Sequence, residues 1–459
     1  MSERFQAGSV PVAWLRENVA GRVLEPADAG FDEACAVFMG GMDQRPAVIV
    51  QPADAHDVAK GVVAARETGV PLAVKSGGHS PFALPDGGIL IHVTSLRDLE
   101  IDTETRTVWA GSGLTTGEVT AAVHEHGLVL GFGDTDTVGI GGITLGGGIG
   151  YLARKYGLTI DHLLAAEIVT ADGEIRVVDE ESDPELFWAI RGAGANFGVV
   201  TRFRFRLQEL STVYAGLLVL PATPETITEY CELSLAAPDE LTSIGNIFLG
   251  IPAPFIPEDK VGTPVLMVMM VYAGEGEVAE RALAPFRGIT TPLADMIAQV
   301  PYPAIFPNKG INGDHIAADS NFYLDEIAIA DAKLLLEQIE QSTADMAAVQ
   351  IRPLGGATAR VPQDATAYAH RDRNFMVHLA AFYSDLSTAD EHHRWATDLT
   401  VTLQKGVPGV YVNFLRGDSA ARIREAYPPA TWERLRAAKR TYDPGNLFRL
   451  NSNIPPSDG

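Results

Sequence analysis

Residues 131–158 read GFGDTDTVGIGGITLGGGIGYLARKYGL, and no other stretch constrains the chain as much. Glycine pays the largest backbone entropy of any residue and costs about 1 kcal/mol relative to alanine inside a helix. A segment this rich in it is a set of tight turns and loops against which something packs closely. Two shorter clusters share the character. Ser76-Gly77-Gly78-His79-Ser80 follows a short apolar strand and ends VKSGGHS, and Gly192–Gly198 follows the helical pattern DPELFWAIR. A plain turn needs one glycine; a second lets a ligand or another backbone approach, and His79 then stands at the lip of that approach.

Consecutive backbone N–H groups in such loops can converge on a pyrophosphate. Each cluster taken singly also suits bulges and close packing. The dinucleotide fingerprint G-x-G-x-x-G is absent: Gly139-Ile140-Gly141-Gly142 lacks the third glycine at the required step, and Gly192 to Gly198 has one spacer too many. A Walker A motif is absent too. A dinucleotide is therefore expected to be held by several loops, not by one helix N-terminus.

Around these loops the pattern is mixed. Ala47–Val50, the helical stretch after Asp54 and Pro71–Lys75 make a strand–helix–strand opening. Gly88–Val93 and Thr107–Ala110 read as strands, and TTGEVTAAVHEHG as a helix closed by Gly127. Ala165–Thr170 and Glu174–Val178 form a hairpin pattern, and Phe203 and Phe205 alternate on a strand. From about Thr212 glycine thins. Strands such as Ala215–Leu220 and Val265–Tyr272 alternate with helices such as Asp331–Gln341, which predicts a second layer with a sheet on one side and helices on the other.

At 459 residues the chain is expected to form more than one core: 1–208, 209–409 and a C-terminal return, 410–459. A net charge of −24 sets nucleic acid and anionic membranes aside as partners. Cys35 and Cys231 have no metal-ligand or disulfide spacing. The pairs His124/His126 and His392/His393 read as solvated surface, with no metal site expected. Neither a signal sequence nor an apolar run near ~18 residues is present. The expectation is a cytoplasmic protein without membrane partners, monomeric or homodimeric.

Together, VKSGGHS, TVGIGGITLGGGIGYLARKYGL, ELFWAIRGAGANFGVVT, YVN and AAKRTYDPGNLFRLNSNIPP occur in this order. The set resembles the PCMH-type (vanillyl-alcohol-oxidase superfamily) flavoproteins in their berberine-bridge-enzyme-like branch. The look is nearest to the short bacterial members of the 6-hydroxy-D-nicotine-oxidase type. The resemblance implies an α+β fold: a PCMH-type FAD-binding domain, and a second α+β domain whose antiparallel sheet is covered by helices. It implies FAD bonded covalently to His79. Many members carry a second, cysteinyl link just before TVG; here Thr135 stands there, so a single bond is expected. A family histidine after the Gly-Gly is replaced by Ile143. Val138 falls where oxygen-reactive members carry valine, which favours an oxidase giving hydrogen peroxide over a dehydrogenase or an oxygenase tailoring a secondary metabolite.

By the same resemblance the cofactor-binding positions are Lys75, Ser76, Gly77, Gly78, Ser80, Thr137, Val138, Gly139, Gly141, Gly142, Gly148, Gly198, Val200, Asn413 and Asn453. Tyr411, with Asn413 two residues on, is the candidate catalytic base. On a strand the two would face the same way. A tyrosine near ~10 needs a cationic neighbour to act as a base at neutral pH, and Arg352 and Arg416 both qualify. Candidate pocket residues are Tyr323, Gln350, Arg352, His378 and Phe382. Members specific for hydroxynicotine carry Lys and Glu around the stretch 350–352; their absence argues against that amine. An alcohol, a sugar-like compound or another amine, together with O2, are the small-molecule partners implied.

Overall fold

The computed structural model describes residues 5–274, 276–306, 316–406, 408–416 and 420–458. Its N-terminal layer is the expected strand–helix–strand. Val48–Gln51, Ile89–His92 and Leu72–Lys75 run parallel, with Arg22–Leu24 antiparallel at the edge. The helix Ala55–Thr68 makes the crossover. Its N-cap is Asp54, whose carboxylate accepts from the Asp57 N–H. Asp57 is itself buried and accepts from the N–H groups of Ala20, Gly21 and Ala53, so this charge is satisfied by backbone. The parallel strands end at the first glycine loop, whose position they fix.

A second, antiparallel sheet has the order Leu99–Asp102, Thr107–Gly111, Val199–Arg206, Leu163–Val169, Ile175–Val178. Strand period puts Phe203 and Phe205 on one face, and both are fully buried with stacked rings 5.6 Å apart. The expected hairpin is present, closed where the Thr170 hydroxyl and Glu174 N–H both donate to Asp172. The second and third glycine clusters lie between strands of this sheet, beside the first.

Residues 212–383 supply an eight-stranded antiparallel sheet. Leu241–Leu249, Met346–Pro353 and Phe375–Tyr383 follow one another in it, and Ile316–Leu324 pairs with the last of them at the edge. Val349, Ile351, Val377 and Leu379 point to one face, where they pack in a core with residues of the helices Pro224–Ala236, Ile329–Glu340 and Ala389–Leu403. By period two, Gln350, Arg352, His378 and Ala380 take the opposite face, which closes over the glycine loops. The chain then returns. Lys439 on the helix Pro429–Tyr442 is fully buried; its ammonium donates to the carbonyls of Asn196 and Phe448 and pairs with Asp443. That cation ties the C-terminal segment to the third glycine loop.

Two local expectations fail. Tyr411–Asn413 is not a strand: Tyr411 is extended and Val412–Phe414 forms a 3-10 turn. His392 is not solvated, because the side of its helix that carries it packs on the sheet and its ring lies 4.9 Å from that of Tyr383. Among the described residues no helix is long and apolar enough to cross a membrane, and no group of three potential metal ligands is gathered.

Two further buried histidines give the protein a pH dependence. Burial pushes His92 down to about 3, helped by Lys75, and His370 down to about 4, where a backbone carbonyl of Glu425 opposes it. In the unfolded chain both titrate near ~6.5. Between these values the unfolded state binds more protons, so their contribution is whole above about 6.5 and is lost as pH falls towards their folded values. Melting curves from about pH 7 to about pH 5 should show a falling Tm, with a flatter slope in His370→Asn. An unchanged slope in that variant contradicts the assignment.

Candidate active site

A cavity of about 550 Å³ lies between the glycine loops and the polar face of the large sheet. Its floor is built from backbone. Gly77 and Gly139 meet so closely that a Cβ on Gly77 would stand 2.2 Å from the Gly139 nitrogen, and the converse holds as well. These glycines serve the mutual approach of two loops, the second of the two alternatives their pattern allowed. Gly142 differs, since a Cβ there would meet nothing within 4 Å.

The loops leave donors behind. Among the described residues, no acceptor pairs with the backbone N–H groups of Gly77, Gly78, His79 and Ser80, nor with those of Thr137, Val138 and Gly139. Backbone N–H groups are almost always satisfied, so two unpaired runs beside a cavity suit an anion held by backbone. The hydroxyl oxygen of Ser112 and the Oδ1 of Asn451, both on residues of the lining, are likewise buried without a partner among the described residues. The residues present fit an elongated ligand with a pyrophosphate and several hydroxyls.

His79 stands on this floor. Its Nε2 is 3.1 Å from the Thr137 hydroxyl, and its ring stacks on Phe38 with centroids 4.4 Å apart. Burial, with Arg416 adding to it, lowers its titration to about 4, against the Thr137 backbone and Asp134. The imidazole is therefore neutral and keeps a nucleophilic lone pair at neutral pH. Lys75 also lines the cavity, and its ammonium donates to the carbonyls of Ala34 and Ala36; largely through burial it is lowered to about 8.

Ser76, Ser80, Val138, Gly139, Gly141, Gly142, Gly198 and Val200 line the cavity as well. Thr137 and Gly148 do not line it but act through His79 and Tyr411. Asn453 also lies off the lining, its Oδ1 buried and unpaired among the described residues. Thr135 lines the cavity, and neither cysteine does. The Ile143 carbonyl accepts from Asn413 Nδ2 at 3.1 Å, so this position contributes backbone and no polar side chain.

Tyr411 and Asn413 meet although they are not on a strand. The Tyr411 oxygen accepts from Asn413 Nδ2 at 2.9 Å, from the Gly148 N–H at 2.9 Å and from the Ile149 N–H at 3.4 Å. Every recorded partner of this oxygen is a donor, the environment a phenolate needs. Burial pushes the phenol above its ordinary value, while these donors and the Arg352 charge pull it down. Of the two candidate cations, Arg352 is the one whose charge reaches Tyr411. Its guanidinium lies 5.1 Å over the Phe414 ring, contacts the Gln350 amide and the Ile149 carbonyl, and pairs with Asp134. Arg416 pairs with Asp319.

Gln350, Arg352, His378 and Phe382 lie on the cavity wall. Tyr323 does not: it sits behind Tyr411, fully packed, with its hydroxyl 2.9 Å from that of Tyr368. The sequence reading missed Asn246, Asp319, Asp134 and Phe414, all on the lining. A polar residue at an alternate position of an apolar strand was the available signal for Asn246 and Asp319, but strand pairing that sets them beside Gln350 and His378 is long-range.

The chain was compared with known proteins. Residues 46–179 match the family described as FAD binding domain, and residues 410–455 the family described as berberine and berberine like. (R)-6-hydroxynicotine oxidase of Paenarthrobacter nicotinovorans is 32% identical, covering 96% of this chain and 97% of its own. An FAD-linked oxidoreductase of Dictyostelium discoideum is 30% identical over 90% of this chain and 89% of its own. The solved structure of 6-hydroxy-D-nicotine oxidase from Arthrobacter nicotinovorans superposes with a TM-score of 0.85 at 27% identity, covering 96% of this chain and 98% of that one. A chitooligosaccharide oxidase shares the fold, with a TM-score of 0.84 at 21% identity over 97% and 99% of the two chains.

Proposed function

We propose, since the chain belongs to the berberine-like family of FAD-linked oxidoreductases, that it is an oxidase with FAD bonded to His79 and Tyr411 as its base. When bound, FAD supplies an acceptor for the substrate's hydride and passes the electrons to oxygen, which leaves as hydrogen peroxide. The observation that carries the reading is that a neutral imidazole and a phenol oxygen ringed by N–H donors line one cavity whose floor offers two runs of unpaired backbone N–H.

The N–H groups of residues 77–80 and 137–139 would hold the pyrophosphate, and Ser112 and Asn451 would meet its hydroxyl or ring groups. With Nε2 engaged by Thr137, His79 would offer Nδ1 for the covalent link. Forming that link would replace one N–H and one C–H, with oxygen as the two-electron oxidant. No cysteine lines the cavity for a second link. Tyr411 receives the proton that a substrate hydroxyl or amine gives up as its hydride departs, with Asn413 and the Gly148 N–H steadying the oxygen and Arg352 the charge. Val138 on the lining favours oxygen as acceptor. Two free thiols suit a reducing, cytoplasmic compartment.

Relatives named for hydroxynicotine and for chitooligosaccharide oxidation span amine and sugar substrates. The test is spectroscopic. Purified protein is yellow, is bleached anaerobically by a substrate from an alcohol, sugar and amine panel, and regains colour in air with one peroxide per turnover. Colourless protein, or bleached flavin that air leaves reduced, contradicts the proposal.

A further inference from the structure

We infer that the cavity takes an uncharged substrate with at least two neighbouring hydroxyls, and that His378 accepts a hydrogen bond from the hydroxyl that is not oxidised. This rests on the oxidase reading above and names the substrate class of the same site.

The first argument is charge. The carboxylates among the described lining residues are Asp134 and Asp319. Asp134 is paired with Arg352. Asp319, whose side chain keeps 4% of its surface, is paired with Arg416 and lies 3.2 Å from His378 Nε2. Both are matched from within the wall. An ammonium brought here would lose its water and find no free carboxylate, a costly exchange. A neutral molecule pays no such cost.

The second argument is the tautomer of His378. A carboxylate only accepts, so Asp319 fixes a proton on Nε2, and in that tautomer Nδ1 is an acceptor. No described residue partners Nδ1, and the side chain keeps 18% of its surface on the cavity wall. The groups around the ring are Asp319 from the strand Ile316–Leu324, and Gln350 opposite in register with Arg352 beyond it on Met346–Pro353. From the C-terminal return come Arg416, Phe414 and, behind Phe414, Tyr411. Of these, the Gln350 amide is already spent on Asn246 and Arg352.

The third argument is spacing. The Phe414 ring lies 4.8 Å from His378 and 5.3 Å from Tyr411, so two hydroxyl-binding groups flank one aromatic ring. Ala317, Ala348 and Ala380 leave the sheet face beyond them clear, which gives room for the remainder of a sugar or polyol.

The experiment pairs a substrate panel with a variant. Glucose, lactose and xylose are compared with benzylamine and N-methylbenzylamine by anaerobic bleaching, and His378→Gln is compared with the wild type on the best substrate. At least one sugar should bleach the flavin faster than either amine. In His378→Gln KM should rise about three- to tenfold, the worth of one hydrogen bond, with kcat changed less. Flavin content and Tm of the variant establish that it folds. If the variant loses flavin, Asp319→Asn, which removes the tautomer lock, must raise KM instead. Faster bleaching by an amine, bleaching by none of the sugars, or a KM untouched in the variants overturns the inference. The oxidase reading survives those results, since it falls only if the protein holds no flavin or its reduced flavin ignores oxygen.

Discussion

Tyr411→Phe should lower kcat by about 10²–10⁴-fold, the range expected when a positioned base is removed, while flavin content stays at the wild-type level. The substitution deletes one oxygen and leaves the ring that packs against Tyr368 and Phe414. Among the described residues, the N–H of Gly148 and the amide of Asn413 converge on that oxygen. Burial holds the phenol above its ordinary value. Wild-type kcat/KM should therefore climb with pH on the alkaline side, as the phenolate grows, and that climb should be absent in the variant. Stopped-flow measurement of anaerobic flavin reduction reads both. A Phe variant that reduces its flavin within threefold of wild type removes Tyr411 from the chemistry.

His79→Ala should abolish the adduct outright and make activity depend on added FAD. Without the bond, occupancy follows the free cofactor concentration, since only the N–H loops and C-terminal contacts remain to hold it. With saturating FAD, kcat should still fall at least about tenfold, which corresponds to ~1.4 kcal/mol added to the barrier for hydride transfer. Ultrafiltration of the variant should carry flavin into the filtrate; that of the wild type should not. Equal kcat with and without the imidazole would leave it only a tethering role.

Much of this arrangement was legible in the sequence because it is local. The glycine loops declare themselves, and the loop geometry follows from what glycine alone permits. The Phe203/Phe205 alternation and the shared face of Gln350 and Arg352 follow period two, which is a property of the strand itself. The failures come from tertiary contacts. Tyr411 and Asn413 share a partner across a 3-10 turn, so the pairing was right and the strand behind it was not. Lys75 lines the cavity as expected of its motif's place, while the anchoring of its ammonium by carbonyls at the end of the short helix Phe31–Cys35 is a contact that nothing near position 75 announces. Tyr323 follows the strand pattern but faces Tyr368 and not the cavity. Asp319, which saturates both His378 and Arg416, needed the register of two strands that are far apart in the chain. The choice between Arg352 and Arg416 needed the same information.

The account stands or falls on the state of one imidazole. The most direct measurement is the mass of the unfolded, acid-washed protein, followed by mapping of its peptides. The predicted result is the chain plus one FAD less two hydrogens, with the whole increment on the peptide that carries His79. A bare chain mass, with all the flavin left in the wash, would contradict it.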